Sequence, residues 1–169
     1  MRADRTIRGR TGRAETSPPA HQKSVELRLV FPCDKMNVRA ALQNTMAGLG
    51  AMHLSDDDRS TIELVLAEVL NNVSKHAYRD EPQGLIELHL SQNTSGLRCR
   101  VVDRGDPMPG MHLPPGPLPE SHCATKDQPE GGFGWYLIHH LSRELNYMRD
   151  GNRNMLTFRI ETAQVLRKN

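Results

Sequence analysis

The sequence predicts an α+β fold, a two-layer sandwich with a mostly antiparallel mixed sheet and its helices on one face. Three observations predict it. Segments that alternate apolar and polar residues occur near the start, in the middle and at the end of the chain. The later ones follow each other in pairs across short turn sequences, which implies antiparallel neighbours. Stretches with helical periodicity fill the intervals between them.

Residues 25–31 (VELRLVF) alternate as a half-buried strand does, and Pro32 closes them. Residues 37–49 carry Val38, Ala41, Leu42, Thr45 and Leu49 on one helical stripe, with Gly50 as a stop. Ser55 before Asp56, Asp57 and Asp58 reads as a helix start, its acids at the positive end of the dipole. That helix is expected to run to about Tyr78, with Ile62, Val65, Leu66, Val69 and Val73 inward. Residues 85–91 and 97–103 read as strands joined by a turn at 93–96. Residues 104–130 are dense in Pro and Gly and lack periodicity, and a lid over 106–130 is expected there. A helix over 133–145 and strands over 146–149 and 154–161 complete the order, the last two joined at Asp150-Gly151-Asn152.

Composition bounds the function classes. The 169 residues are 37% hydrophobic and 25% charged, values ordinary for a globular domain. A net charge of +2 is too small to imply direct nucleic-acid binding. No apolar run approaches the roughly 20 residues that cross a bilayer, so no membrane partner is expected. The arginines of the N-terminus precede no apolar stretch, unlike a secretory signal. Cys33, Cys99 and Cys123 are odd in number and widely spaced, which argues against a disulfide framework and for a cytoplasmic setting. Residues 1–20 read as a basic, disordered tail, which leaves residues 21–169 for the folded domain.

Three segments carry chemistry. Glu68, Asn72 and His76 are spaced by four, which stacks an acid, an amide and an imidazole on one helix face. Such a face offers a proton acceptor and a carbonyl oxygen for a hard cation; it is also what a solvated helix surface looks like. Asp103-Arg104-Gly105-Asp106-Pro107-Met108-Pro109 stands at a strand end. A carboxylate there can accept the amino hydrogen of adenine and would reject the carbonyl of guanine, although Asp, Gly and Pro equally suit a turn. Glu130-Gly131-Gly132-Phe133-Gly134 enters a helix whose first N–H groups can bind an anion, although a flexible loop would read the same way.

In this order the three segments resemble the boxes of the GHKL ATPases. Glu68-x-x-x-Asn72-x-x-x-His76-Ala77-Tyr78 is similar to their N box. Asp103-x-Gly105-x-Pro107-x-Pro109 is similar to the first glycine box, and Gly132-x-Gly134-Trp135-Tyr136-Leu137-Ile138 to the second. The His-Ala-Tyr ending and the short domain most resemble the anti-sigma-factor serine kinases, so the expected fold is of the Bergerat ATP-binding type.

The resemblance implies an ATP- and Mg²⁺-dependent protein serine/threonine kinase. Glu68 would be the general base, and Asn72 would ligate Mg²⁺. Asp103 would hold adenine, with Gly105 beneath the base, and Gly132 and Gly134 would meet the phosphates. His76, Pro107, Phe133, Thr157 and the lid residue Lys126 complete the implied nucleotide-binding set. The implied partners are a sigma factor or equivalent regulator, an anti-sigma-factor antagonist of the STAS fold, and a second copy in a homodimer. The alternative is a nucleotide-gated binding module with little or no kinase activity.

The sequence departs from the family in two places. Trp135 stands where many relatives have leucine, and Glu130 or Gly131 where some have a cation, with Lys126 the nearest basic residue. Other residues carry less. His139 and His140 point about 100° apart on a helix, and His122 and Cys123 have no matching ligand pair for zinc. Met36, Met46 and Met52 read as packing or helix-surface residues.

Overall fold

Each strand and helix begins where local chemistry permits it. In the computed structural model, which describes residues 26–52, 54–79, 84–93, 95–116 and 132–163, strand β1 spans Glu26–Pro32. Asp34 then caps helix α1 (Lys35–Gly48), its carboxylate accepting from the N–H groups of Met36 and Asn37 at 3.1 and 3.0 Å. This cap starts α1 two residues before the expected start at Asn37. Helix α2 (Asp56–Asn72) opens on a reciprocal capping box, with Asp58 N–H donating to Ser55 Oγ and Ser55 N–H to Asp58 Oδ2.

Strands β2 (Leu85–Asn93) and β3 (Gly96–Asp103) form one hairpin, and β4 (Arg143–Asp150) and β5 (Arg153–Ile160) form another. Gly151 takes a φ of +57° in the second turn, a conformation open to glycine at little cost. The sheet order is β1-β2-β3-β5-β4, and each of the four pairings is antiparallel. The expected α+β sandwich is therefore observed, with no parallel pair among the described strands.

The last helix and strand differ from expectation at their shared boundary. Helix α3 covers Gly132–Leu141 and does not reach residue 145. Ser142 ends it by donating both its N–H and its hydroxyl to Ile138 O. Glu144 then adopts a φ of +54°, and a register shift between Arg143 and Asn146 brings the chain into β4 three residues early.

Alternation assigns the two sheet faces. Ile86, Leu88, Leu90, Cys99, Val101, Leu156, Phe158 and Ile160 are buried against the helices, which contribute Ile62, Val65, Leu66, Val69, Leu70 and Ile138. On the other face Arg28, His89, Arg100 and Thr157 lie side by side across four strands. Cys33 and Cys99 are buried, Met52 packs in the core, and Met36 is exposed. The basic tail, His122, Cys123, Lys126, Glu130, Gly131 and the part of the lid over 117–131 lie outside the described residues.

Candidate functional site

Helix α2 changes character just where its polar column should continue. Over Val73–Ala77 the chain makes a π turn, closed by Tyr78 N–H donating to Val73 O at 3.2 Å. Glu68 and Asn72 both lie beside Gly134 of α3. His76 remains at the rim of the cavity described below.

The π turn also fixes the backbone that follows β3. Ala77 O accepts from Asp106 N–H at 2.7 Å, and a Cβ on Gly105 would lie 2.3 Å from that same oxygen. Only a residue without a side chain fits so close to a carbonyl. Tyr78 adds a second tie. Its hydroxyl accepts from Arg104 N–H at 2.8 Å and donates to Leu85 O at 2.9 Å.

Between these elements is a cavity of about 450 Å³. Val69, Val73, Ala77 and Leu156 supply apolar wall, and Met108 and Trp135 close its sides. Asp103, Asn72, His76 and Asn154 are the polar residues of the lining, joined at the rim by Arg79 and Asp106. The last two form an exposed ion pair at 2.7 Å.

Asp103 is buried at the end of β3 and has two donors, Asn154 Nδ2 at 2.7 Å and Gly105 N–H at 2.9 Å. Both reach Oδ1. Burial pushes this carboxyl above the usual carboxylate range, opposed by the bonds from Asn154 and Gly105 and by the charge of Arg149. Asn154 is itself buried, and its carbonyl oxygen accepts from Tyr147 Oη at 2.7 Å and Arg149 at 2.6 Å.

At the other end of the site α3 meets α2. Gly134 is buried, and a Cβ there would lie 2.5 Å from Glu68 Oε2 and 3.9 Å from Asn72 Nδ2. The glycine thus lets the helix start approach the acid and the amide together. Asn72 Nδ2 is buried and has no hydrogen-bond partner among the described residues. An unmatched buried amide costs roughly 1–3 kcal/mol, so this end of the site is chemically suited to a polar ligand. The amide oxygen, Glu68 and the open helix start form a donor set that fits a magnesium-bound phosphate.

The structure therefore brings Glu68, Asn72 and Gly134 together, and Asn72, His76, Asp103 and Pro107 line one cavity, with Gly105 packed against Ala77 beside it. Gly132 is the first residue of α3, and Phe133 follows it with its ring exposed. Thr157 is a correction. It points to the opposite sheet face, where it lines a separate groove with Arg28, His89 and Arg100. Strand alternation leaves no route from there to Asp103. Asn154, Tyr147 and Arg149 were not expected at the site.

Residues 31–160 match the family model described as the histidine kinase-like ATPase domain. The chain belongs to this family. It is 32% identical over 106 residues to the serine/threonine-protein kinase BtrW of Bordetella bronchiseptica, spanning 62% of this chain and 72% of that one. It is 29% identical over 105 residues to the serine-protein kinase RsbW of Bacillus subtilis, spanning 60% and 64%. The fold is similar to the crystal structure of the RsbU and RsbW domains of Rv1364c from Mycobacterium tuberculosis. That likeness has a TM-score of 0.54 at 14% identity and covers 82% of this chain but 32% of the other. The expected GHKL-type family and its serine/threonine-kinase branch are those of the two named relatives. None of the described helices is long and apolar enough to cross a membrane.

Proposed function

We propose that this protein is an ATP-dependent protein serine/threonine kinase whose substrate is a hydroxyl on a regulatory partner. The observation that carries the reading is that Glu68 and Gly134 meet at Asn72, which lines the same cavity as Asp103. An adenine and a triphosphate need such a pairing, of a buried acceptor with a helix start and an amide oxygen.

ATP supplies the phosphoryl group and Mg²⁺ the positive charge that favours its transfer. Asn72 would present its amide oxygen to the metal, and the backbone N–H groups of Gly132 and Gly134 would face the phosphates. Asp103 Oδ2 would accept from the adenine amino group, while Gly105 lets Ala77 O close against the loop that follows β3. Glu68, beside the helix start, would take the proton of the incoming serine or threonine hydroxyl. Lys126 and the 106–130 segment would cover the phosphates and exclude water.

For the partner, the names of the two relatives support a regulatory protein kinase. The proposed substrate is a STAS-fold antagonist, and the proposed binding target is a sigma factor or equivalent regulator. The active form is proposed to be a cytoplasmic homodimer. Phosphorylation would add about −1.5 to −2 charges to the antagonist and weaken its docking.

The test is Glu68→Gln. Transfer of labelled phosphate from Mg-ATP to the cognate antagonist should vanish, while calorimetric ATP binding persists. If the unaltered protein binds ATP and its partner but transfers no phosphate, the nucleotide-gated binding module is the correct reading.

A further inference from the structure

The polar cluster behind Asp103 is built for more than filling space. Asn154, the second residue of β5, lies on the inward face and uses every hydrogen-bonding position of its amide. Its nitrogen donates to Asp103 Oδ1 at 2.7 Å, to Asp106 O at 3.0 Å and to Gly105 O at 3.3 Å. Its oxygen accepts from Tyr147 Oη and from Arg149, which also donates to Gly105 O at 3.1 Å. The orientation of this amide is forced. Arginine can only donate, so the oxygen must face Arg149 and the nitrogen must face the carboxylate. Tyr147 is held in turn, because its hydroxyl accepts from Met108 N–H at 3.1 Å.

Among the described residues, both hydrogen bonds to Asp103 end on Oδ1. Oδ2 is the oxygen left for a ligand. A carboxylate fixed in this way offers an acceptor to the cavity and is hindered from turning to offer its other oxygen. Adenine brings a donor to its six-position, whereas guanine brings a carbonyl that would meet Oδ2 oxygen to oxygen.

We propose that Asn154, locked by Tyr147 and Arg149, is the positioning residue that makes Asp103 select a base with an exocyclic amino donor. This deepens the kinase reading and rests on it. The charged and titratable groups that face Asp103 come from several elements. They are Arg149 on β4, Tyr78 after the π turn and Cys33 after β1. Asn154 and Gly105 help keep the carboxyl ionised against burial, so loss of Asn154 raises its pKa further. Nucleotide binding that needs the ionised form is lost as pH falls, and the variant should lose it at a higher pH.

The experiment compares ADP and GDP binding to the full chain across pH, for the unaltered protein and for Asn154→Leu. The unaltered protein should favour ADP. In the variant ADP affinity should fall at least about tenfold, equivalent to ~1.4 kcal/mol, with GDP affinity nearly unchanged. The acid limb of ADP binding should move to higher pH. If Asn154→Leu does not fold, Tyr147→Phe removes only the hydroxyl that holds the amide and should shift the ADP:GDP ratio in the same direction.

An unchanged ratio and an unchanged acid limb in the folded variant would overturn the proposal while leaving the kinase reading intact. A smaller but parallel loss of both nucleotides would also overturn it, because that is what a merely structural role produces. Failure of the unaltered protein to bind either nucleotide would defeat this inference and the kinase reading together.

Discussion

A Cβ on Gly134 would lie 2.5 Å from Oε2 of Glu68, so the start of α3 rests directly on the acid of α2. The two groups belong to sequence segments more than sixty positions apart. Their contact joins the proposed base to the proposed phosphate seat. Gly134→Ala keeps the backbone N–H but pushes the carboxylate aside. Phosphate transfer is expected to fall at least about tenfold (~1.4 kcal/mol in the barrier), with ATP affinity changing by less than about threefold. Parallel transfer and calorimetric assays check this, and a variant with full transfer activity would show that Glu68 needs no such seat.

Asp103→Asn should separate stability from function. An asparagine oxygen can keep both bonds made to Oδ1, but a donor replaces the acceptor at Oδ2. ADP affinity is expected to drop roughly 10- to 100-fold, given ~1–3 kcal/mol for such discrimination. Burial raises the Asp103 pKa in the folded free protein. Its favourable contribution is therefore present at low pH and lost as pH rises through the folded value. The ligand-free variant should melt at or above the unaltered protein near neutrality. That difference should shrink as pH is lowered, which scanning calorimetry at several pH values measures.

The start of α2 supports a stability prediction. Ser55→Ala removes one arm of the capping box and should cost ~0.5–2 kcal/mol. Asp58→Ala should cost more, because Asp58 Oδ1 also accepts from Ala163 N–H at 3.0 Å and ties the segment after β5 to this helix. Urea unfolding of the two variants gives the comparison. Equal losses would mean that the tie to Ala163 adds nothing.

His139 holds Pro114 and Gly116, which follow β3. Its Nε2 lies 2.9 Å from Pro114 O, and a Cβ on Gly116 would fall 2.5 Å from its ring. His139→Leu should raise amide exchange at His112, Leu113 and Gly116 while the exchange of the β2 and β3 amides stays unchanged. Exchange followed by mass spectrometry reads both. Unaltered exchange at those three residues would show that the histidine does not restrain them.

Much of the frame was legible because each strand alternates and each helix carries its stripe. Ile62, Val65, Leu66, Val69 and Val73 are buried as the period of α2 requires. The three boxes were legible as residue patterns, and Glu68 with Asn72 follows from spacing alone. The π turn was not. Nothing in Val73-Ser74-Lys75-His76-Ala77 opposes an ordinary helix, and the turn is stabilised by bonds to Asp106 and Tyr78.

Thr157 was expected at the site and Asn154 was not, for one shared reason. Alternation along Asn154, Leu156, Phe158 and Ile160 assigns these residues to the inward face and Thr157 to the other. A polar Asn154 at the head of an apolar column was the available signal. Its partners on β4 had no comparable mark, since the bulge at Arg143 and Glu144 sets that strand's phase.

The wider turn of α2 makes the chain's numbering through this region unforgiving. Inserting one further residue into Val73–Ala77 would exceed what a single wide turn takes up. Tyr78 would swing around the axis, and its hydroxyl would leave both Arg104 and Leu85. The strand carrying Asp103 and the helix carrying Asn72 would then lose their common clamp, although neither residue had been touched. Substitutions in this stretch can be absorbed more readily than a change in its length.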